Sequence, residues 1–463
     1  PLAARKLPGT YTIESVGPLR QVLTYVVIGD PARPDLTVER VEIEITPTLG
    51  IPAVSRVTLV RPRLYGSYRA GAFSLGKLDS LLEGTGEGPS GLPELELVLV
   101  DGRARLDSDF GAVGIKAEGR GNLHSGFTGT LAAIAPQLTA GACRAEQASL
   151  FGTVTTRDGA PGFKGPLRLA ALDCPAQALQ LRGAGLQIDA AANAALDTVG
   201  GQAGLETGAL RLGGQNAAAL RGDSRFSLKQ GDLTASYRLS AARLGGTLAA
   251  STLALEGTLR SRDRLATFDS EGTLSGQDVR PGAGLDGQLA GLARSLDTTL
   301  GGPLLSAVRQ GLAREGKGSR LSAGYTFRQT GELTSVVIPR GVLRGRSGAD
   351  VLALSRFQLA AGGQSGLRLS GNVVTGGTGL PRLDGRIERQ AGGTMLGRFR
   401  MPEYRAADSR LALPELVLVM RPNGTLGFSG RAIASGKLPG GFARGLSVPL
   451  DGNWSARSGL AAG

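Results

Sequence analysis

The chain has 463 residues, of which 73 are glycine, and its 52 basic and 39 acidic side chains give a formal net charge of +13. Hydrophobic residues make up 41% of the sequence, too many for a disordered polymer, and glycine does not recur every third residue as it does in collagen. One His, three Met and two Cys leave little material for metal or redox chemistry, so we predict a folded protein without such centres.

The start of the chain carries no membrane-spanning signal. No stretch reaches the roughly 18 to 20 apolar residues that a transmembrane helix needs. The longest apolar run near the start, residues 25–28, has the length of a strand. Because the sequence begins at Pro1 without an initiating Met, we expect it to be a trimmed piece that a signal peptide or an anchor preceded.

Apolar and polar residues alternate along most of the chain. Val41, Ile43 and Ile45 alternate with glutamates, and every second residue from Leu233 to Leu239 is apolar. This period predicts strands with one apolar face. Pairs typical of hairpin turns separate such runs; they are Asp101–Gly102, Gly231–Asp232, Gly245–Gly246 and Asn423–Gly424.

The expected product is a long antiparallel meander. A large sheet whose apolar face meets no partner sheet must curl around that face or bind an apolar ligand that covers it. We therefore predict a mainly β fold: an elongated, strongly curved antiparallel sheet that forms an apolar groove, β-taco-like, with one amphipathic helical segment. The alternative is a pair of β-sandwich domains with packed interiors.

Cys143 and Cys174 are the two cysteines, and neither belongs to a CxxC motif or a Cys/His cluster. In an oxidising compartment such a pair is typical of a disulfide, which we take as the candidate pairing. The alternative is two buried free thiols in the cytosol.

A helical pattern interrupts the strands. Leucines recur at spacings of three and four from Leu285, and a second helix beginning near Pro303 stops at Gly316. This amphipathic element either lies at a membrane surface or plugs one end of the groove; the alternative is a helix packed on the sheet. The predicted segments are an N-terminal β groove segment at 1–280, an amphipathic helical insertion at 281–318 and a C-terminal β groove segment at 319–463.

Some sequence motifs match those used for catalysis or phosphate binding, but the residues around them do not fit these functions. The GxGxxG at 86–91 lies in a Gly/Pro/Ser-rich loop, and the GxxxxGK that ends at Lys317 lacks the Ser or Thr that should follow. His124 is the single histidine, so a Ser/His/Asp triad would have to use it. We predict no catalytic residue, no metal site and no cofactor.

The basic residues are dispersed in short groups, and aromatic residues make up only 4% of the chain. A nucleic-acid-binding protein would concentrate the charge on one face and interleave aromatics for stacking, so we predict no nucleic-acid partner. Exterior strand positions are the natural place for dispersed arginines. The alternative role is attraction to anionic lipid head groups or acidic envelope polymers.

The N-terminal part of the sequence resembles AsmA-like proteins, and within that superfamily it is similar to the YdbH branch of Gram-negative bacteria. Residues 97–121 also follow the pattern of strand, short turn, Gly, strand and Asp that these proteins repeat. The residues that carry the resemblance are Gly29, Asp30, Pro31, Pro34, Asp35, Leu36, the strand Val38 to Ile45, Arg61, Pro62, Leu64, Tyr65, Gly66, Leu78, Leu81 and Leu82.

The resemblance implies an inner-membrane anchor followed by a long periplasmic β structure, curled into a groove with an apolar interior. Such a structure conducts phospholipids between the inner and outer membranes. The implied partners are phospholipids, the inner membrane through an anchor absent from this chain, and an outer-membrane protein or lipoprotein. Compared with full members, we expect this chain to be a fragment that lacks the N-terminal anchor and the C-terminal part.

We therefore predict a periplasmic, bridge-like lipid-transfer segment without enzymatic activity. The alternative is an envelope scaffold or outer-membrane protein assembly factor that does not conduct lipid. An enzyme on a β scaffold would instead need a polar pocket around His124 or a close pair of carboxylates. The candidate residues that line the groove are Leu179, Leu181, Leu186, Ile188, Leu233, Tyr237, Leu239, Leu253, Leu255, Leu367 and Leu369.

Overall fold

Strands dominate the protein. The structure is a computed structural model that describes residues 8–46, 53–70, 72–79, 92–263, 266–295, 301–362, 366–406, 409–438, 441–455 and 459–462. Strand accounts for 74% of the chain, and the described part contains two α-helices, which confirms the predicted mainly β fold class.

The chain divides into two units. The first comprises Pro1–Gly213 with Asp223–Gln230, and the second comprises Gly214–Gly222 with Gly231–Gly463. The three-segment division expected from the sequence stays a prediction. The strands up to residue 229 are β1 Gly9–Val16, β2 Arg20–Asp30, β3 Arg33–Thr46, β4 Ala53–Val60, β5 Arg63–Arg69, β6 Ala72–Ser74, β7 Glu96–Ser108, β8 Gly111–Asn122, β9 Thr128–Ala140, β10 Cys143–Arg157, β11 Ala160–Cys174, β12 Leu179–Ala192, β13 Thr198–Thr207, β14 Leu210–Leu212, β15 Gln215–Ala217 and β16 Ala219–Lys229.

Both helices belong to the second unit. The remaining elements are β17 Asp232–Gly246, β18 Leu248–Arg262, β19 Thr267–Gln277, β20 Arg280–Pro281, α1 Ala283–Ser295, α2 Gly301–Gly316, β21 Arg320–Thr330, β22 Leu333–Arg344, β23 Asp350–Ala361, β24 Arg368–Thr375, β25 Asp384–Arg389, β26 Met395–Ala406, β27 Ser409–Met420, β28 Leu426–Leu438, β29 Gly441–Ser455 and β30 Gly459–Ala462. Short 3-10 turns lie at Gly76–Leu78, Pro175–Gln177 and Ala391–Gly393.

Strand β17 illustrates why these segments become strands. Its side chains alternate between half-buried and exposed positions from Asp232 to Ser240, and the half-buried ones are the apolar residues. Because successive side chains of a strand point to opposite faces, this alternation gives the sheet one apolar and one polar face.

Neighbouring strands are joined mainly by hairpins and pair antiparallel. The exceptions among the described strands are β4 and β5, which pair parallel with β7. A parallel pair needs a long crossover connection, and the chain between β5 and β7 supplies it. The pair Asp101–Gly102, predicted as a hairpin turn, instead lies inside β7 at a register shift, where Asp101 has a φ of +48°. That turn prediction is wrong, because the same residue types also suit a β-bulge.

Fully buried apolar side chains form only small clusters in the described residues. One cluster in the first unit joins β2 and β3 to the Gly76–Leu78 turn, and one in the second unit joins β26, β27 and β28. Their buried members are Val26, Ile28, Val38 and Leu78, and Met401, Tyr404, Leu413 and Ala432.

Helices α1 and α2 pack against strands of their own unit. Asp286 of α1 pairs with Arg309 of α2 at 2.8 Å, and Val308 packs against the cluster around Met401. Of the leucines that predicted the helix, Leu296 and Leu300 lie outside the described residues, as does the 86–91 glycine motif. Neither described helix is long and apolar enough to cross a membrane.

A disulfide bond joins Cys143 to Cys174, with the two Cα atoms 4.2 Å apart. The residues stand at the open end of the β10–β11 hairpin, since the neighbouring pair Arg144 and Asp173 are direct cross-strand partners. The bond therefore closes the ends of two strands that already pair along their length.

Candidate functional site

A row of apolar residues crosses the sheet of the first unit. Direct cross-strand partners project from the same face, so a chain of such partners traces one line across that face. This line runs from β2 through β3, β5 and β7 to β13 without a polar member. Its residues are Ile28, Leu36, Leu64, Ala104, Ile115, Ala133, Leu150, Leu167, Leu186 and Leu205.

A second row crosses the second unit from β17 to β29. Every member is an apolar residue or glycine, although the strands that contribute them are far apart in sequence. The row comprises Leu239, Leu255, Leu274, Ala323, Gly341, Leu354, Val373, Gly385, Phe399, Leu416, Gly430 and Leu450.

The large side chains of both rows are not sealed inside the protein. In the first row only Ile28 is buried, with 6% of its surface exposed, and the other members are half-buried. In the second row the buried members are Ala323 and Gly341, whereas the leucines and Phe399 are half-buried. Each unit thus presents an apolar face that its own side chains leave partly open.

The opposite face of each sheet is polar. Lys164 of β11 and Asp189 of β12 pair there at 2.9 Å, and Arg238 of β17 pairs with Glu256 of β18 at 3.0 Å. These side chains are mostly exposed, so the pairs contribute little stability but keep that face in water. The two faces therefore differ sharply in chemistry.

An apolar cavity of about 360 Å³ opens on the first unit beside the disulfide. Ala145 and Leu172 are direct cross-strand partners in its wall, and Leu172 also pairs with Leu181 of β12. The remaining wall is almost wholly apolar; it includes Tyr68, Leu106, Phe110, Val113, Leu138 and Cys143. A hydrocarbon chain matches this lining better than a polar ligand does.

Two tyrosines place a polar group on the apolar face of the second unit. The Tyr237 hydroxyl hydrogen-bonds to the Tyr325 hydroxyl and lies 2.6 Å from Ser270 Oγ. Burial, together with the hydrogen bond that Tyr325 shares with Tyr237, raises the pKa of Tyr325 to about 12. The neutral pair can donate or accept hydrogen bonds without bringing a charge onto the face.

The predicted lining residues fall on half-buried strand positions, with one exception. Leu367 precedes β24 and is 37% exposed. In β12 the half-buried positions change from odd to even numbers at Gly183, which has a φ of +62°. The residues on half-buried positions are Leu179, Leu181, Leu186, Ile188, Leu233, Tyr237, Leu239, Leu253, Leu255 and Leu369. Their role as a lining stays a prediction.

For several members of these rows, the sequence does not predict which residues lie beside them. Phe399 and Leu416 become neighbours of Val373 only through the pairing of β24 to β27. His124 belongs to neither row; its Nδ1 lies 3.1 Å from the Leu92 carbonyl oxygen. Within the described ranges, no group of His, Cys, Asp and Glu side chains could hold a metal ion.

A family model described as "YdbH-like: Intermembrane phospholipid transport protein YdbH" matches residues 2–463. Comparison with the curated proteins gives no match. The family match spans nearly the whole chain and confirms the resemblance to the YdbH branch.

Proposed function

Because the chain belongs to the YdbH-like family of intermembrane phospholipid transport proteins, we propose that its apolar face holds the acyl chains of phospholipids as they move. The observation that carries the proposal is the unbroken apolar row in each unit, left half-open by the protein's own side chains. Head groups would then project past the edges of the strands into water.

The energetics of this arrangement are favourable only if the lining is continuous. Moving a methylene group from hydrocarbon into water costs about 0.8 kcal/mol. A lipid tail of a dozen or more carbons therefore leaves a bilayer only for a surface that replaces most of its contacts. Rows with an apolar residue or glycine on each successive strand, about 4.8 Å apart, supply such contacts across the sheet.

We place this activity in the periplasm, with the protein held at the inner membrane. Transfer of this kind makes and breaks no covalent bond, so no catalytic residue is needed. The exposed charged pairs of the polar face, such as Lys164 with Asp189, keep the other side of the sheet hydrated while the apolar side is occupied.

The test is photo-crosslinking of lipid at paired positions on the two faces. A photoreactive phenylalanine analogue replaces Leu186 or Leu255 on the apolar face, and Gln187 or Glu256 as the adjacent control on the polar face. We expect phospholipid adducts at the first two positions and none at the controls, read by mass spectrometry.

Each alternative outcome has a distinct meaning. Adducts of equal yield on both faces, or none at Leu186 and Leu255, overturn the proposal. Adducts to an envelope protein without lipid favour the scaffold or assembly-factor alternative. Each control position is the next residue on the same strand, so the comparison tests which face of the sheet contacts lipid.

A further inference from the structure

One charged residue stands in the apolar face of the second unit. A third line of direct cross-strand partners runs parallel to the row that contains Leu354. On each strand it lies four or five residues from that row. Between β23 and β29, Arg389 is the charged residue in this third line. That stretch comprises Leu359, Leu369, Arg389, Met395, Met420, Leu426 and Trp454.

The Arg389 side chain has no partner in the described part of the protein. Its Nε atom is buried and makes no hydrogen bond, and none of the ion pairs between described residues includes it. Its cross-strand partners are Leu369 and Met395, which offer no acceptor. A guanidinium carries a positive charge in proteins, so this face holds a cation without a protein acceptor at its Nε.

The guanidinium lies at the ends of the strands. A Cβ placed on Gly393 would come 3.1 Å from Arg389 Nη2 and 3.4 Å from Pro422 Cγ, so the group sits against two hairpin turns. Gly393 has a φ of +86°, and the glycine leaves room for the group there. The charge is therefore where an apolar lining meets the rim of the sheet.

We propose that Arg389 binds the phosphate of a phospholipid whose acyl chains lie on the neighbouring apolar residues. This inference rests on the proposed function and assigns its head-group contact. A guanidinium presents a planar fork of N–H donors that matches two phosphate oxygens, and charge-assisted hydrogen bonds of this kind are the strong ones. The effective dielectric constant among half-buried apolar side chains is lower than in water, which strengthens the interaction.

The test compares two lipids that have the same acyl chains, one with a phosphate-containing head group and one without. The whole chain is incubated with phosphatidylcholine vesicles that carry trace dioleoyl phosphatidylethanolamine or trace dioleoylglycerol, reisolated, and its bound trace lipid counted by mass spectrometry. We expect the wild-type chain to prefer the phospholipid, and Arg389→Gln to lower that preference about tenfold. Arg389→Lys keeps the charge and should restore part of it.

Arg386→Gln is the matched control. Arg386 lies on the same strand, is exposed, and pairs with Arg398 on the polar face. It should leave the preference unchanged, and thermal unfolding of each variant shows that the fold is kept. An arginine that only covers apolar surface with its stem while its head stays in water would show no difference between the two variants.

The outcomes separate this inference from the function on which it rests. If the wild-type chain takes up neither lipid, the proposed function fails. If both lipids bind and Arg389→Gln leaves their ratio unchanged, only the head-group assignment fails. Inorganic phosphate is the third arm: if it binds in an Arg389-dependent way while the lipid ratio does not depend on Arg389, the residue is an ion site and the inference is overturned.

Discussion

The hydroxyl groups of Tyr237 and Tyr325 hydrogen-bond to each other although three steps of strand pairing separate the two residues. Tyr237 pairs with Gly257, Gly257 with Gly272, and Gly272 with Tyr325. The two glycines have no side chains on this face, so the rings reach over them and meet. An aromatic bridge thus covers the part of the apolar face that glycine would leave bare.

Raising pH should weaken this bridge. An unfolded tyrosine has a pKa near 10, whereas the pKa of Tyr325 in the fold is about 12. The folded state therefore keeps a proton that the unfolded state loses, so the stabilisation is complete below pH 10 and disappears as pH rises through about 12. We expect the free-energy difference between wild type and Tyr325→Phe, measured by urea unfolding, to shrink over that interval.

Tyr25→Phe is the control for this titration, because Tyr25 is 73% exposed. Its difference from wild type should stay flat over the same pH interval. A flat difference for Tyr325→Phe as well would contradict the account of the bridge.

The glycines beneath the bridge should tolerate no side chain. A Cβ on Gly272 would clash with the Glu256 carbonyl oxygen, a contact that only backbone movement can relieve. We expect Gly272→Ala to lower the free energy of unfolding by about 1–3 kcal/mol or more. Gly324→Ala on the adjacent β21 is the control, since nothing lies within 4 Å of its added Cβ. Equal effects of the two substitutions would show that packing under the bridge is not the cause.

The alternation of β17 was sufficient to predict a strand and its apolar face, because that signal is local. Alternation does not predict the burial of a strand correctly where a single residue adopts positive φ. At Gly183 the half-buried positions of β12 change from odd to even residue numbers. At Asp101, where a hairpin turn was expected, β7 continues through a bulge. The position of Arg389 could not be predicted from the sequence at all. Arg389 lies among apolar residues only because of the register in which strands β23 to β29 pair. Pairing between distant strands follows from tertiary packing, which a period-two pattern does not encode.

Removal of the disulfide should destabilise the chain without abolishing the β10–β11 pairing. The bond closes a loop with a sequence separation of 31 residues, for which the chain-entropy account gives about 3–4 kcal/mol. We expect Cys143→Ser with Cys174→Ser to lower the midpoint of urea unfolding by a corresponding amount. Reductant should shift wild type to the same midpoint and leave the double variant unchanged; a further loss in the variant would point to another cause.

A charge on the apolar face should block occupancy by lipid. Leu354 lies in the row of the second unit, and Ser355 beside it is exposed on the other face, opposite Arg340 and Asn372. We expect Leu354→Asp to reduce phospholipid copurifying with the chain severalfold, because an acyl chain on that strand would have to desolvate the carboxylate. Ser355→Asp should leave the amount unchanged. Equal lipid content in both variants would argue against this face as the binding surface.

The end of α2 is held by a buried carboxylate, and its removal should loosen the helix. Glu315 is 3% exposed, and its Oε2 accepts hydrogen bonds from Ser347 N at 3.1 Å and Ser347 Oγ at 2.8 Å. Glu315→Ala leaves those donors without an acceptor, so we expect a loss of about 1–3 kcal/mol in unfolding free energy and faster amide exchange in α2. Glu315→Gln keeps one acceptor oxygen and should lose less. Gln310→Ala, at an exposed position of α2, should change stability by less than about 0.5 kcal/mol. Unchanged exchange in Glu315→Ala would mean that other contacts of α2, such as the packing of Val308, hold the helix in place.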